Sequence, residues 1–211
     1  MGTVKDQGSC GSCWAFSATG AIEGNWAIAN NVNLDLSEQE MVDCCRLNSA
    51  VGCPESEGCD GGWMSEAIEW NLRNHGQAFT SDYPYHAKDE SCHSHMDEEA
   101  PVVTHLDFAP GDLESLVHAA NDGPVAVGVN ANIRWMLYSG GVVMAENCGG
   151  TVDEINHGVV VVGWTPDEWI IRNSWGARWG ESGHIRLQRS ATNYADNACG
   201  VVEVNSFPLF E

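Results

Sequence analysis

The sequence predicts an α+β protein of two lobes, helices first and strands second. Three observations predict it. Helical signals crowd the first half of the 211 residues. Strand signals take over after Pro124, and a Pro-containing stretch between Pro101 and Gly111 separates the two textures. A chain of this length suits one large domain or two small lobes and buries roughly 70% of its unfolded surface. Hydrophobic residues make up 43%, a globular share. A cleft between lobes is a common place for a site.

Each element has its own signal. Cys13 to Asn30 is rich in Ala, with Trp14, Ala18, Ala21, Ile22 and Trp26 at helical spacings. Ser37-x-x-Glu40 reads as a capping box opening a short helix toward Cys44. Ser65 to Asn74 reads as a helix stopped at Gly76, and Asp112 to Ala120 as a helix capped by Asp112 and stopped at Asn-Asp-Gly-Pro. Val125 to Val129, Gly158 to Trp164, Trp169 to Asn173 and His184 to Leu187 read as strands between Gly-rich punctuation. No internal repeat or low-complexity tract stands out.

Charge narrows the function classes. Nine basic and 30 acidic residues leave a net charge of −21, and Lys5 and Lys88 are the only lysines. Such a surface repels phosphate backbones and anionic membranes, so neither nucleic acid nor membrane is expected as a partner. The acidity has three readings: solubility, work at low pH where carboxylates are partly protonated, or work in high salt. The longest apolar run, Val159 to Trp164, is far short of the ~18 residues of a membrane span. Met1 is followed directly by Gly-Thr-Val-Lys, so any targeting segment is expected outside these residues.

There are nine cysteines. Such a count points to an oxidising compartment, and the odd number to four disulfides and one leftover thiol. Cys13 is the informative candidate. It sits where a Gly-rich loop turns into the first helix, and the unpaired N–H groups of a helix N-terminus favour a thiolate. A thiolate needs a proton partner, and eight histidines compete. His157 stands out, in Asn-His-Gly at the mouth of a very apolar strand. His75 reads as a helix-end residue and His118 as part of a solvated helix face. His93 and His95 flank Ser94 and could bind metal with Cys92, but that segment supplies too few ligands, and no metal or cofactor is expected. A third group must orient the imidazole. Asn173, in Arg-Asn-Ser-Trp-Gly at the end of another apolar strand, offers an amide oxygen, with Trp175 placed to keep water away.

Cys10-Gly11-Ser12-Cys13-Trp14 matches the papain/cathepsin signature, whose histidine follows roughly 130–150 residues later. Here His157 follows Cys13 by 144 residues and Asn173 by 160, slightly beyond that window. Further blocks agree: Leu36-Ser37-Glu38-Gln39, Gly58-Cys59-Asp60-Gly61-Gly62, Tyr83-Pro84-Tyr85, Asn156-His157-Gly158, Asn173-Ser174-Trp175-Gly176, Trp179-Gly180-Glu181 and Cys199-Gly200. The chain resembles papain-like cysteine peptidases of the cathepsin L-like branch, over nearly its whole length.

That resemblance implies a single catalytic unit over residues 1–211 with a papain-like fold. It would have a helical left domain at about 10–108, a β-barrel-like right domain at about 109–205, and an active-site cleft between them. Cys13 would be the nucleophile and His157 the general acid/base, oriented by Asn173. Gln7 and the Cys13 backbone N–H would form the oxyanion hole. The substrate main chain would run along Gly61 and Gly62. Trp63, Met64, Gly128, Gly158 and Val204 would line the S2 pocket beside Asn156. With no carboxylate at Val204 and room left by the two glycines, a hydrophobic P2 residue is expected. Trp175 would shield the catalytic histidine, and Trp179 would form part of the primed side. The family's three disulfides map as Cys10–Cys59, Cys44–Cys92 and Cys148–Cys199. Cys45–Cys53 is the expected fourth, with an exchange of Cys44 and Cys45 as the alternative.

The stretch from Cys92 to Asp112 holds no large insertion, so an endopeptidase is expected rather than an exopeptidase. Polypeptide substrates, the family's pro-segment and cystatin-like inhibitors are the expected partners of a monomer. Neither that pro-segment nor the residues that usually precede the Gln7 region are expected within this chain. The expected location is the lysosome or vacuole, or outside the cell; no Asn-x-Ser/Thr sequon is found. Two other classes compete: a catalytically inactive homologue that binds peptides, and a Cys/His metal module.

Overall fold

The computed structural model describes residues 2–47, 52–93, 99–190, 193 and 197–210. Helix α1, Cys13–Asn30, is buried without a break from Trp14 to Asn25. A helix buried on all sides lies inside a core. Its small residues permit close packing: a Cβ on Gly20 would stand 3.0 Å from Val160 Cγ2. The helix stops where Asn31 turns left-handed, at φ 55°, and returns its N–H to Ala27 O.

Helix α2, Glu38–Cys44, starts at Ser37, whose hydroxyl oxygen accepts from Glu40 N–H at 3.1 Å. The other half of the expected capping box is absent. Glu40 accepts instead from Ala78 N–H at 2.6 Å, and Ser37 N–H donates to Ala78 O. A neighbouring loop supplies both partners that the local motif would have used. Helix α3, Met64–Asn74, begins one residue before the sequence reading and stops at His75 and Gly76. Helix α4, Leu113–Asp122, runs two residues beyond it, with Asp112 accepting from Ser115 N–H at 3.0 Å. A short helix α5, Ile133–Met136, has no counterpart in the sequence reading.

Among the described residues the strands form one seven-stranded sheet. β2 (Val125–Val129), β4 (His157–Trp164), β5 (Glu168–Arg172) and β6 (His184–Gln188) fall within a residue of the reading. β1 (Thr104–Asp107), β3 (Val142–Val143) and β7 (Asn205–Leu209) have no counterpart in it. The order is β1-β7-β2-β4-β5-β6-β3, antiparallel except for β3 beside β6. β1 lies inside the Pro101–Gly111 stretch where the lobe boundary is expected, and it pairs with β7, which runs to Leu209.

Two buried clusters result. One gathers Trp14, Met41, Ile68 and Trp70 from α1, α2 and α3. The other gathers Leu116, Trp135, Trp169, Ile171 and Leu187 on the sheet. β2 divides by its period of two: Ala126 joins the first, Val125, Val127 and Val129 the second. The disulfides are Cys10–Cys59, Cys44–Cys92, Cys45–Cys53 and Cys148–Cys199, the same pairs the resemblance implies, and Cys13 alone is free. Cys92 is therefore bonded and offers no thiolate to a metal beside His93; Ser94 and His95 lie outside the described residues. Among the described residues no helix is long and apolar enough to cross a membrane.

Candidate active site

Cys13 is the first residue of α1. Its neighbour Ser12 holds the N-cap position, where a hydroxyl would normally take one of the helix's free N–H groups. Here the Ser12 side chain makes no such bond and contacts Tyr85 Oη at 2.6 Å instead. The N–H groups of Cys13 and Trp14 are thereby left to the sulfur, where they favour negative charge.

His157 opens β4 and Asn173 follows β5, so two neighbouring strands bring them together. His157 Nε2 and Asn173 Oδ1 are 2.8 Å apart, both residues buried. The direction of this bond follows from Asn173. Its Oδ1 also accepts from Ser174 N–H at 2.8 Å, which identifies that atom as the amide oxygen. The proton of the His157 bond therefore sits on Nε2, and Nδ1 is the ring nitrogen left for proton exchange. Trp175 covers the imidazole with ring centroids 4.9 Å apart, and Trp135 meets it edge-on at 6.0 Å.

Burial pushes the Cys13 thiol up, while backbone N–H groups of Gly158, Trp14 and Cys13 itself pull it down. Burial also holds the His157 imidazole down at about 4, against the Asn173 bond. Either charge alone is disfavoured here. A thiolate and an imidazolium formed together each give the other its counter-charge.

Gln7 is held from four sides. Its N–H donates to Ser174 O at 2.9 Å, and its Oε1 faces the Ser174 hydroxyl at 2.7 Å. Tyr85 Oη donates to Gln7 O at 2.8 Å, and Gln7 Nε2 donates to Cys10 O at 3.0 Å. A side-chain amide has two N–H donors, so one remains for a ligand.

A cavity of ≈ 380 Å³ contains Cys13 and His157, with Gly61, Gly62, Trp63, Met64, Gly128, Asn156 and Gly158 also on its wall. Gln7, Asn173, Trp175, Trp179 and Val204 are not on that wall. Asn173 stands behind His157, and Trp179 packs on Trp135, its Nε1 donating to Trp135 O at 2.9 Å. Val204 packs behind Gly128, where a Cβ would stand 3.1 Å from Val204 Cβ and 2.6 Å from Ile155 Cγ2. A Cβ on Gly158 would meet Cys13 O at 3.0 Å and Met64 Sδ at 3.2 Å. A side chain at either glycine would therefore clash with its neighbours, and both glycines remain on the cavity wall. Gly61 and Gly62 differ from one another: Gly61 needs its φ of +119°, whereas a Cβ on Gly62 would stand 2.7 Å from the Trp14 ring.

Sequence reasoning missed Ser174, Tyr85, Trp135 and Ile155. The first two lie inside blocks quoted for the resemblance, and Ile155 directly precedes Asn156. Nothing local marks Trp135. The acidic Glu55, Glu57 and Asp60 also reach the cavity. The assembled chemistry is a half-buried free thiol at a helix N-terminus and an oriented imidazole on one open groove, with a Gln7 side chain that keeps one amide N–H.

The family described as papain family cysteine protease matches residues 1–209. A Caenorhabditis elegans protein described as cathepsin L-like is 41% identical over 214 residues, covering 98% of this chain and 60% of its own. Cathepsin L 2 of Paramecium tetraurelia is 44% identical over 208 residues, covering 98% and 60%. The crystal structure of the Carica candamarcensis cysteine protease CMS1MS2 in complex with E-64 superposes with a TM-score of 0.87 at 34% identity, covering 99% of this chain and 92% of that one. The chain spans about 60% of the length of these curated relatives. Sequence and fold agree along the same residues, and the chain belongs to the papain family of cysteine proteases.

Proposed function

We propose that the chain is a cysteine-type endopeptidase that hydrolyses peptide bonds in polypeptides through Cys13 and His157. The observation that carries this reading is the Asn173-oriented imidazole in one cavity with the single free thiol. Cys13 Sγ passes its proton to His157 Nδ1 and, as the thiolate, attacks the peptide carbonyl carbon. The developing oxyanion takes hydrogen bonds from the Cys13 backbone N–H and the free Gln7 Nε2–H. His157 Nδ1 gives its proton to the leaving amine, which departs and leaves a thioester. His157 then takes a proton from water, the hydroxyl attacks the thioester, and carboxylate and thiol are released. Throughout, the Asn173 bond keeps the ring in one orientation.

The substrate main chain lies along Gly61 and Gly62 in strand-like pairing. The P2 side chain is hydrophobic. Trp63, Met64 and Ile155 supply apolar surface, and Val204 behind Gly128 brings no carboxylate. The carboxylates of Glu55, Glu57 and Asp60 come from the segment ahead of Gly61 and line the same cavity. Trp179 contributes to the primed side. The family's pro-segment and cystatin-like inhibitors are proposed to occupy the same groove on a monomer working in a lysosome or vacuole, or outside the cell.

Peptide amides differing only at P2 test the reading. Turnover with Leu or Phe and its loss in Cys13→Ser are expected. Turnover surviving in Cys13→Ser contradicts the nucleophile. Strong preference for Arg with no turnover of Leu or Phe contradicts the P2 assignment.

A further inference from the structure

Residues 2–7 cross both halves of the molecule as an extended strap. On the sheet side they follow the segment that carries Asn173. Gln7 N–H donates to Ser174 O at 2.9 Å, Gly176 N–H donates to Lys5 O at 3.0 Å, and Asp6 bridges to Trp175. Arg172 donates to Gly2 O at 2.8 Å and to Thr3 O.

On the helical side, the strap ahead of Gln7 is held by the Lys5 side chain. Lys5 Nζ lies 3.1 Å from Glu23 of α1, 2.8 Å from Glu38 of α2 and 2.8 Å from Asp35, and it donates to Leu36 O at 2.8 Å. Glu23 and Glu38 side chains are only 4% and 3% exposed and form the buried part of the clamp, with Asp35, 70% exposed, at its surface rim. Glu23 Oε1 also accepts from Leu36 N–H at 2.9 Å, which ties the α1–α2 connection into the same cluster. Burial would lower the Lys5 ammonium, but Glu38, Glu23 and Asp35 outweigh it and hold it above the ordinary lysine range. The gap beside the cluster is ≈ 20 Å³, lined also by Arg172, Asn173 and Ser174, with space for about one water and no ligand.

We infer that Lys5 is a positioning residue of the catalytic site: clamped by Glu23, Glu38 and Asp35, it fixes the strap between the two halves and thereby holds the Gln7 donor, two residues on, against Ser174. The inference rests on the proposed role of Gln7. Lys5 touches neither substrate nor the reacting atoms. One side chain bonds the helical half while its own carbonyl bonds Gly176, so its loss frees the strap on one side only. Gln7 Nε2 would then sample positions away from the oxyanion. Small misplacements of catalytic groups cost rate steeply.

The test is a Lys5→Met variant measured two ways. The kcat for a peptide amide should fall roughly tenfold, short of the ~10²–10³-fold of deleting a donor, with KM changed less than about twofold. Alkylation of Cys13 by iodoacetamide forms no oxyanion and should keep its rate. In a Gln7→Ala background the same substitution should cost almost nothing further. If stranded carboxylates prevent folding, Lys5→Met with Glu38→Gln removes one of them and is read the same way. An unchanged kcat, an equal fall in alkylation, or an undiminished cost in Gln7→Ala overturns the inference alone. Wild-type protein that alkylates but hydrolyses no peptide amide overturns the proposed function and this inference with it.

Discussion

Replacing Gln7 with Ala removes a side chain whose two ends are already committed and whose remaining proton is the only catalytic asset. Nε2 bonds Cys10 O at 3.0 Å and Oε1 bonds the Ser174 hydroxyl at 2.7 Å, so the free N–H has a fixed direction. Deleting one preorganised oxyanion donor costs ~10²–10³ in kcat, about 2.7–4 kcal/mol of transition-state stabilisation. Little of that falls on KM, because the ground-state carbonyl is not the group being stabilised. The stability cost is separate. Two hydrogen bonds at about 0.5–1.5 kcal/mol each give roughly 1–3 kcal/mol, a Tm shift of roughly 2–12 °C at this chain length. The assay is kcat and KM on a peptide amide well below that Tm, with Cys13 alkylation as the control. Gln7→Glu, the same shape without the donor, should match Gln7→Ala in kcat. A folded Gln7→Ala protein that loses less than about fivefold in kcat refutes the oxyanion assignment, as does a Gln7→Glu variant with wild-type turnover.

Asn173→Ala removes a hydrogen bond to a ring that becomes charged in the proposed cycle. Such bonds are worth about 1.5–3 kcal/mol, so kcat/KM should fall roughly 10- to 150-fold, and the pH profile should move with it. Gly62→Ala forces a Cβ to 2.7 Å from the Trp14 ring and 2.8 Å from Ser56 Oγ. Overpacking of this kind costs about 1–3 kcal/mol, which thermal unfolding should read as a Tm fall of roughly 2–12 °C, together with a higher KM. Glu203 is 5% exposed beside the Cys148–Cys199 disulfide, and burial pushes its carboxyl up. A raised folded pKa means the folded state holds the proton longer than the unfolded state. Stability is thus retained below the unfolded value and lost as pH rises through the folded one. Glu203→Gln should therefore match wild type in Tm near pH 4 and exceed it at pH 7; equal Tm at both pH values contradicts that sign.

The legible parts of this chain are those whose cause is local. Cys13–Asn30 is a helix because of its own spacing and composition, and Asp112 caps because its carboxylate reaches Ser115 N–H. Strands β2, β4, β5 and β6 announce themselves through apolar content between turns. β1 and β7 do not, because each is short, β7 contains Pro208, and they are strands chiefly through pairing with one another. The site shows the same division. Cys13, His157 and Asn173 could be singled out residue by residue, and the resemblance added Gln7, Gly61 and Gly62. The partners that fix them could not: Ser174 and Tyr85 on Gln7, Trp135 on His157, and three carboxylates on Lys5 all arrive from distant positions. The neighbours that hold Gly128 and Gly158 to glycine were not legible either, since Ile155, Val204 and Met64 reach them from other elements. Glu40 likewise left its capping box for Ala78.

The central claim is that the one free thiol among nine cysteines is activated by His157. Peptide-mapped mass after treatment with an epoxysuccinyl-peptide inhibitor at mildly acidic pH tests it most directly, for native protein and for His157→Ala. A single adduct on Cys13, the other eight cysteines unlabelled, and no adduct in a folded His157→Ala protein are the predicted results. A folded native protein that takes no label, or a His157→Ala protein that labels as fast as native, contradicts the account.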